Sequence, residues 1–192
     1  MSGYAVQPDD QTLIAQSLRG DSSAFGELVH RHQDRLYNTV YRLLDNAEDA
    51  QDVVQEAFLN AYQSLRLFKG DAQFFTWLYR IAVNSAISLR RKRRVVLTMD
   101  APPAGRMVLE PIDESEVTNP GHALERAEDE RRLQNALNRL SLEYRTVLVL
   151  KEIEGLKYEE IAAALQVPIG TVRSRLHRAR LELREQLGSS ES

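Results

Sequence analysis

Apolar residues in the first half of the chain recur every three or four positions. Phe25, Leu28, Val29, His32, Leu36, Val40 and Leu43 trace one stripe, which predicts a long amphipathic helix. Gly20-Asp21-Ser22-Ser23 ahead of it supplies a turn and a choice of N-caps. A second helix is expected after Asp45-Asn46, with Glu48 or Asp49 placed to close a capping box. Its stripe is Ala50, Val53, Val54, Ala57, Phe58, Ala61 and Leu65. After Lys69-Gly70-Asp71 a third long helix is expected from about Ala72 to Arg93. In the second half, Asn119-Pro120 precedes a helix to about Leu140, and another runs from Ser141 to Glu154 and stops at Gly155. A short helix covers about Tyr158–Leu165, and a last one starts at Pro168, a residue suited to a first helical turn. No segment sustains a two-residue alternation. The predicted fold class is all-α.

Proline marks the division. None occurs from Asp9 to Ala101, and four of the six fall between Pro102 and Pro120. Residues 98–119 also lack helical periodicity, which reads as an exposed, flexible linker. The chain thus divides into two small helical domains, residues 10–94 and 121–187, with an acidic, proline-bearing connection over 95–120.

Composition narrows the chemistry. The 192 residues contain no cysteine, which excludes a disulfide scaffold, a Cys-based zinc site and a self-contained thiol sensor. His30 and His32 are two apart on one helix and point to different sides, so no metal site is expected. The N-terminal stretch lacks the basic flank and apolar core of a signal peptide. No run approaches the ~18 apolar residues of a membrane span. No membrane insertion and a cytoplasmic location are the expectations. No nucleophile elbow or phosphate loop is present, so neither enzymatic activity nor a cofactor is expected.

The net charge is −3, but its distribution is uneven. Residues 80–94 hold six Lys/Arg and no acid, and residues 171–184 hold five Arg against Glu182 alone. Between them, residues 98–130 hold nine Asp/Glu against Arg106 and Arg126. Two basic patches flanking an acidic stretch point to nucleic-acid contact at two places, with two solvated helix faces as the plainer reading.

The C-terminal patch lies on a helix-turn-helix pattern: the short helix Tyr158–Leu165, the turn Gln166-Val167 and the basic helix from Pro168. Val172, Leu176, Ala179 and Leu183 form its buried stripe. Gly170, Thr171, Arg173, Ser174, His177 and Arg178 are left outward, where Arg can take guanine bidentately. Arg175, Arg180 and Arg184 sit nearer the flank and suit phosphates. An ordinary amphipathic C-terminal helix is the competing reading.

The N-terminal patch has aromatic company. Seven of the thirteen aromatics fall from Phe58 to Tyr79: Phe58, Tyr62, Phe68, Phe74, Phe75, Trp77 and Tyr79. Those from Phe74 to Tyr79 are too closely spaced to share one buried face, and the basic run Arg90–Arg94 ends the same helix. Rings beside cations suit single-stranded nucleic acid, because bases stack on rings while phosphates meet Arg and Lys. The competing reading is a cluster of core aromatics.

FKGDAQFFTWLYRIAVNSAISLRRKRR (Phe68–Arg94) closely resembles the promoter-melting segment of extracytoplasmic-function sigma factors of bacterial RNA polymerase. Asp49–Leu65 resembles their polymerase-docking helix, and Leu140–Leu187 resembles their C-terminal domain. The resemblance implies a subunit that directs promoter-specific initiation, with core RNA polymerase, promoter DNA and an anti-sigma factor as partners. It implies polymerase docking through Asp49, Asp52, Gln55, Glu56 and Asn60. Minus-ten contacts would come from the loop Lys69, Gly70, Asp71, Ala72 and Gln73, and from Trp77, Arg80, Asn84, Arg90, Arg91 and Arg93. Minus-thirty-five contacts would come from Thr171, Arg173, Ser174, Arg175, His177 and Arg178. Two positions depart from the family pattern. Lys157 stands where Ser or Thr usually caps the first helix of the helix-turn-helix, which predicts loss of a capping box with Glu160. Gln166 replaces a usual Gly at the turn, which predicts mild strain. The alternatives are a helix-turn-helix regulator with an N-terminal sensing or dimerisation domain, and an adaptor that binds protein only. A base-stacking surface around Phe68–Asn84 does not serve the first, and neither basic patch serves the second.

Overall fold

The computed structural model describes residues 8–99 and 120–188, and the side chains of 8–89 and 128–188 within them. Eight α-helices are described, and none of these residues is in a strand. The first half contains α1 (Asp10–Leu18), α2 (Ser22–Leu44), α3 (Ala47–Ser64) and α4 (Phe74–Met99), with a 3-10 turn at Leu65–Leu67. The second half contains α5 (Pro120–Arg139), α6 (Leu142–Leu148), α7 (Tyr158–Leu165) and α8 (Ile169–Gly188).

The helices begin where short polar side chains offer oxygen to free N–H groups. Asp21 accepts from Ser23 N–H at 3.0 Å, and Asn46 accepts from Asp49 N–H at 2.9 Å. Ser141 accepts from Tyr144 N–H at 3.3 Å. The apolar stripes face inward: Leu28, Leu36, Val40 and Leu43 of α2 are fully buried with Ala50, Ala57 and Ala61 of α3 and Leu78, Ala82 and Val83 of α4. The small side chains on α3 let these helices approach closely.

Helix α4 is longer than its sequence pattern indicated. It continues through residues 95–99, which were assigned to the linker; they contain neither Pro nor Gly, so nothing in them stops a helix. The rest of the linker, 100–119, lies outside the described residues.

The second half packs directly on the first. Helix α7 lies against α4, and α6 with the turn after it lies against α2. The helix predicted over Ser141–Glu154 is not uniformly α: Val149–Ile153 form a π-helical turn. Glu154 N–H donates to Val149 O at 3.0 Å, and Gly155 then turns the chain at φ 69°. The wider turn changes the direction of the residues after it and delivers Glu154 to α2. There Arg35 Nε donates to Glu154 Oε2 at 2.8 Å, the Thr39 hydroxyl bonds the same carboxylate, and the Glu154 side chain is only 5% exposed.

The C-terminus of α2 is closed by the same half. Its last carbonyls have no partner within the helix, and a cation at that end also meets the negative pole of the helix dipole. Arg145, 1% exposed, donates through Nη1 to Leu43 O at 2.9 Å. Gln134 Nε2 donates to Arg42 O at 3.4 Å, and the Asn138 amide bonds the Asp45 carboxylate. Hydrogen bonds to charged groups contribute about 1.5–3 kcal/mol each. Glu154→Ala should therefore loosen the contact between the halves without unfolding either. Because the chain has no cysteine, labels at Gln63→Cys and Ala163→Cys report the separation uniquely. The expected result is a longer and broader label–label distance than in the parent.

Candidate nucleic-acid and polymerase interfaces

On α3, Asp52, Gln55 and Glu56 are exposed and Asn60 is half-buried. Spacings of three and four set them on one face, opposite the stripe that packs on α2 and α4. Asp49, three positions before Asp52, shares that side of the helix but is not open. It is 7% exposed, in the first helical turn, with its N–H held by the Asn46 cap. Leu59 stands in the middle of the face, three and four positions beyond Glu56 and Gln55, and is 57% exposed. The polar pattern drew attention away from it. The visible signal was an aliphatic residue out of phase with the buried stripe.

The five loop residues Lys69–Gln73 are all exposed. Phe68 and Phe74 bracket them, with ring centroids 5.9 Å apart in an edge-to-face arrangement that closes the base of the loop. Gly70 has φ 78°, a left-handed conformation that favours glycine. Trp77 N–H donates to Gln73 O at 3.2 Å, tying the loop's end to the first turn of α4.

The closely spaced aromatics do share buried surroundings, contrary to the expectation from spacing. Phe74, Phe75 and Tyr79 are each under 5% exposed. Helix α4 packs against α2, α3 and α7, so its buried arc is wider than an isolated two-helix contact would make it. Arg35 lies 4.0 Å from the Phe75 ring centroid. The Tyr79 hydroxyl makes no hydrogen bond among the described residues. Burial pushes its deprotonation well above the usual range, and the nearby Glu154 charge acts the same way. Trp77 is half-buried, against Phe68 at 5.3 Å and Phe74 at 5.9 Å. What α4 leaves outward is narrow: the edge of Trp77, then Arg80 and Asn84 at i+3 and i+7. Arg90, Arg91 and Arg93 lie on the same helix, with side chains outside the described residues.

In the second half α7, the turn at Gln166-Val167 and α8 form a helix-turn-helix. Val172, Leu176 and Ala179 are buried and Leu183 is half-buried. Arg173, Ser174, His177 and Arg178 are exposed on the opposite face, and Thr171 is half-buried with its carbonyl accepting from Ser174 Oγ at 3.0 Å. Arg175 is engaged elsewhere: its Nη2 lies 2.8 Å from Glu143 on α6. Arg180 is likewise bonded to Glu152 at 2.6 Å. Arg184 remains exposed at the flank.

Two family models match the chain: Sigma-70 region 2 over residues 28–95 and Sigma-70, region 4 over residues 130–183. The chain is 40% identical over 182 residues to the RNA polymerase sigma-H factor of Pseudomonas aeruginosa, covering 91% of this chain and 92% of that one. It is 38% identical to the ECF RNA polymerase sigma-E factor of Escherichia coli K12, with the same coverage. The chain belongs to the extracytoplasmic-function sigma factors. Such sigma factors are non-enzymatic subunits of RNA polymerase that direct promoter-specific transcription initiation. Two solved structures share this sigma factor's architecture. One is CnrH in complex with the cytosolic domain of CnrY, 30% identical, TM-score 0.66, covering 94% of this chain and 97% of that one. The other is the sigma factor RpoE in complex with the anti-sigma factor NepR from Bartonella quintana, 27% identical, TM-score 0.69, covering 85% and 96%. No helix among this sigma factor's described residues is long and apolar enough to cross a membrane.

The two departures from the family pattern have different outcomes. Half of the capping box survives in this sigma factor. Lys157 has no side-chain acceptor to offer, but its backbone N–H still donates to Glu160 Oε2 at 2.7 Å. Glu160 needs only a backbone donor, which any residue but proline provides. Gln166 adopts the left-handed conformation, with φ 55° and ψ 42°, to end α7. A side chain there costs about 1–2 kcal/mol, part of which glycine would give back through greater freedom of the unfolded chain. Gln166→Gly should stabilise the helix-turn-helix by about 0.5–1 kcal/mol, measurable as a raised midpoint in urea unfolding.

Proposed function

We propose that this sigma factor docks on core RNA polymerase through α3, captures the melted minus-ten strand with the Lys69–Gln73 loop and α4, and reads the minus-thirty-five duplex with α8. The observation that carries the reading is the presence of two open faces of different chemistry on the two halves. One is a loop beside the Trp77, Arg80 and Asn84 edge. The other is an exposed Arg173, Ser174, His177 and Arg178 surface on a helix-turn-helix. Flipping a base out of a stack costs a few kcal/mol, so its pocket must supply stacking and edge hydrogen bonds. Gly70 allows close backbone approach, Asp71 and Gln73 carry edge-bonding groups, and Asn84 carries both a donor and an acceptor. Arg90, Arg91 and Arg93 on the continuing helix suit the neighbouring phosphates. Arg173 and Arg178 suit base edges in the major groove, with Arg184 on phosphate. The salt bridges of Arg175 and Arg180 favour a supporting role for both.

On α3 the acidic and amide side chains of Asp52, Gln55 and Glu56 surround Leu59. This is the arrangement of a docking patch, an apolar centre within a polar rim. The domains are taken as residues 10–94 and 121–187, joined by an acidic connection over 95–120. The reading places the protein in the cytoplasm, where DNA and polymerase are. It also includes an anti-sigma partner, supported by the RpoE–NepR pair. With no cysteine in this chain, redox sensing would reside in that partner.

Reversing charge at Asp52 and Glu56 together should abolish pull-down of core polymerase with helicity unchanged, and Leu59→Ala should weaken it. Unchanged pull-down by the double reversal would refute the docking assignment. For DNA, Asn84→Ala should lose affinity for a pre-melted minus-ten strand while leaving duplex binding at minus-thirty-five intact. Arg173→Ala or Arg178→Ala should cost ~1–3 kcal/mol and relax specificity at one base pair. Arg184→Ala should weaken binding evenly and reduce its salt dependence. Promoter-directed transcription with sigma-free core polymerase checks the whole reading.

A further inference from the structure

His32 has no place in the functions assigned above, yet it is buried and held from several sides. Its Nε2 donates to Asp10 Oδ2 at 2.8 Å, while the other oxygen of Asp10 accepts from Arg31 Nη1 at 2.8 Å. Arg31 also donates through Nη2 to Pro8 O at 2.9 Å, so the start of α1 is strapped to α2. The imidazole lies 5.6 Å from the Phe74 ring and 5.6 Å from the Phe75 ring, centroid to centroid. Those are the first two residues of α4, immediately after the Lys69–Gln73 loop. Phe74 in turn meets Phe68 at 5.9 Å across the base of that loop. A continuous line of contacts therefore runs from Asp10 through His32 and Phe74 to Phe68. It reaches both ends of a loop whose own five residues are exposed.

We propose that His32, fixed by Asp10 and wedged against Phe74 and Phe75, is a positioning residue that sets the geometry of the Lys69–Gln73 loop and so its choice of base. The inference rests on the minus-ten reading of that loop. An exposed five-residue loop has few internal contacts to define its shape, so its anchors must do so. Recognition of a base edge depends on donor and acceptor placement to a fraction of an ångström. The imidazole combines a flat face for the two rings with one N–H directed at a carboxylate. Gln can keep a bond to Asp10 but cannot fill the space between α2 and the phenyl rings.

The test uses the full chain and single-stranded DNA randomised over six positions, with bound molecules sequenced. For the parent, enrichment at the most selective position gives a baseline ratio. A well-placed set of base-edge bonds discriminates by about tenfold or more. His32→Gln should lower the ratio about tenfold, and Asp10→Asn, which preserves size at a partly exposed position, should lower it less. Val40→Ala, in the core of the same helix but away from the loop, serves as the stability control. It should lose melting temperature while keeping the parental ratio. Parental selectivity in both His32→Gln and Asp10→Asn would overturn the inference, as would an equal loss in Val40→Ala. A parent with no base preference would instead overturn the minus-ten reading on which it rests.

Discussion

Phe75, Tyr79 and Val83 are buried on α4, a helix that packs against α2, α3 and α7 together. The rest of the first half is arranged around this coverage. A helix packed on one neighbour leaves most of its circumference free. Here only a strip that includes Trp77, Arg80 and Asn84 faces outward. The strip begins at the loop, so loop and helix form one continuous edge, the one proposed to follow a strand from an unpaired base to its phosphates. Rings that look available for stacking in the sequence serve to hold this edge in place. In the proposed reading, recognition falls to the loop and to polar side chains, with Trp77 at the boundary between the two roles.

The contact between the halves combines apolar packing of α7 on α4 with polar closure of α2. Buried polar groups favour one arrangement over its neighbours, because a shifted interface would leave them without partners. Arg145 on Leu43 O and Glu154 between Arg35 and Thr39 are such groups. The π turn over Val149–Ile153 matters for the same reason: it changes where Glu154 points. Arg35 links the two kinds of contact, bonding Glu154 while its guanidinium lies over Phe75.

The parts of this fold that depend on local sequence were legible in it. The stripes of α2 and α3, the Asp21 and Asn46 caps and the helix-turn-helix with its Val172, Leu176 and Ala179 core all follow from spacing and side-chain type. The left-handed Gln166 was expected only from the resemblance, which puts glycine there. What could not be read depends on the other half of the chain. Glu154 and Arg145 look like surface charges until α2 is placed beside them. The aromatics of α4 exceed the capacity of a single helix contact until α2, α3 and α7 are all placed against that helix. Asp49 shares the side of α3 that carries Asp52 and Glu56 by spacing, and only its burial, which the spacing does not show, sets it apart from them. Helix α4 continues past residue 94 because residues 95–99 hold neither Pro nor Gly, and the prolines that mark the connection begin only at Pro102.

The proposed promoter contacts constrain the closed arrangement. Helix α7 packs on both α4 and α8, and packed helices lie about 8–10 Å apart. The axes of the two proposed reading helices are thus separated by at most about 20 Å where they meet α7. Elements at minus-ten and minus-thirty-five are about 25 base pairs apart, or about 85 Å at 34–36 Å per turn of duplex. Both reading faces are exposed, so the closed form can meet either element, but it is too short to engage both on straight DNA. On the proposed contacts, engaging both elements at once requires the Glu154 and Arg145 contacts to break, and their energy opposes that step in the free protein. Docking on polymerase can repay that energy through contacts made outside this interface, since Asp52, Glu56 and Leu59 are exposed while the halves remain together. A surface available before opening allows the sigma factor to reach polymerase first and to span the promoter afterwards.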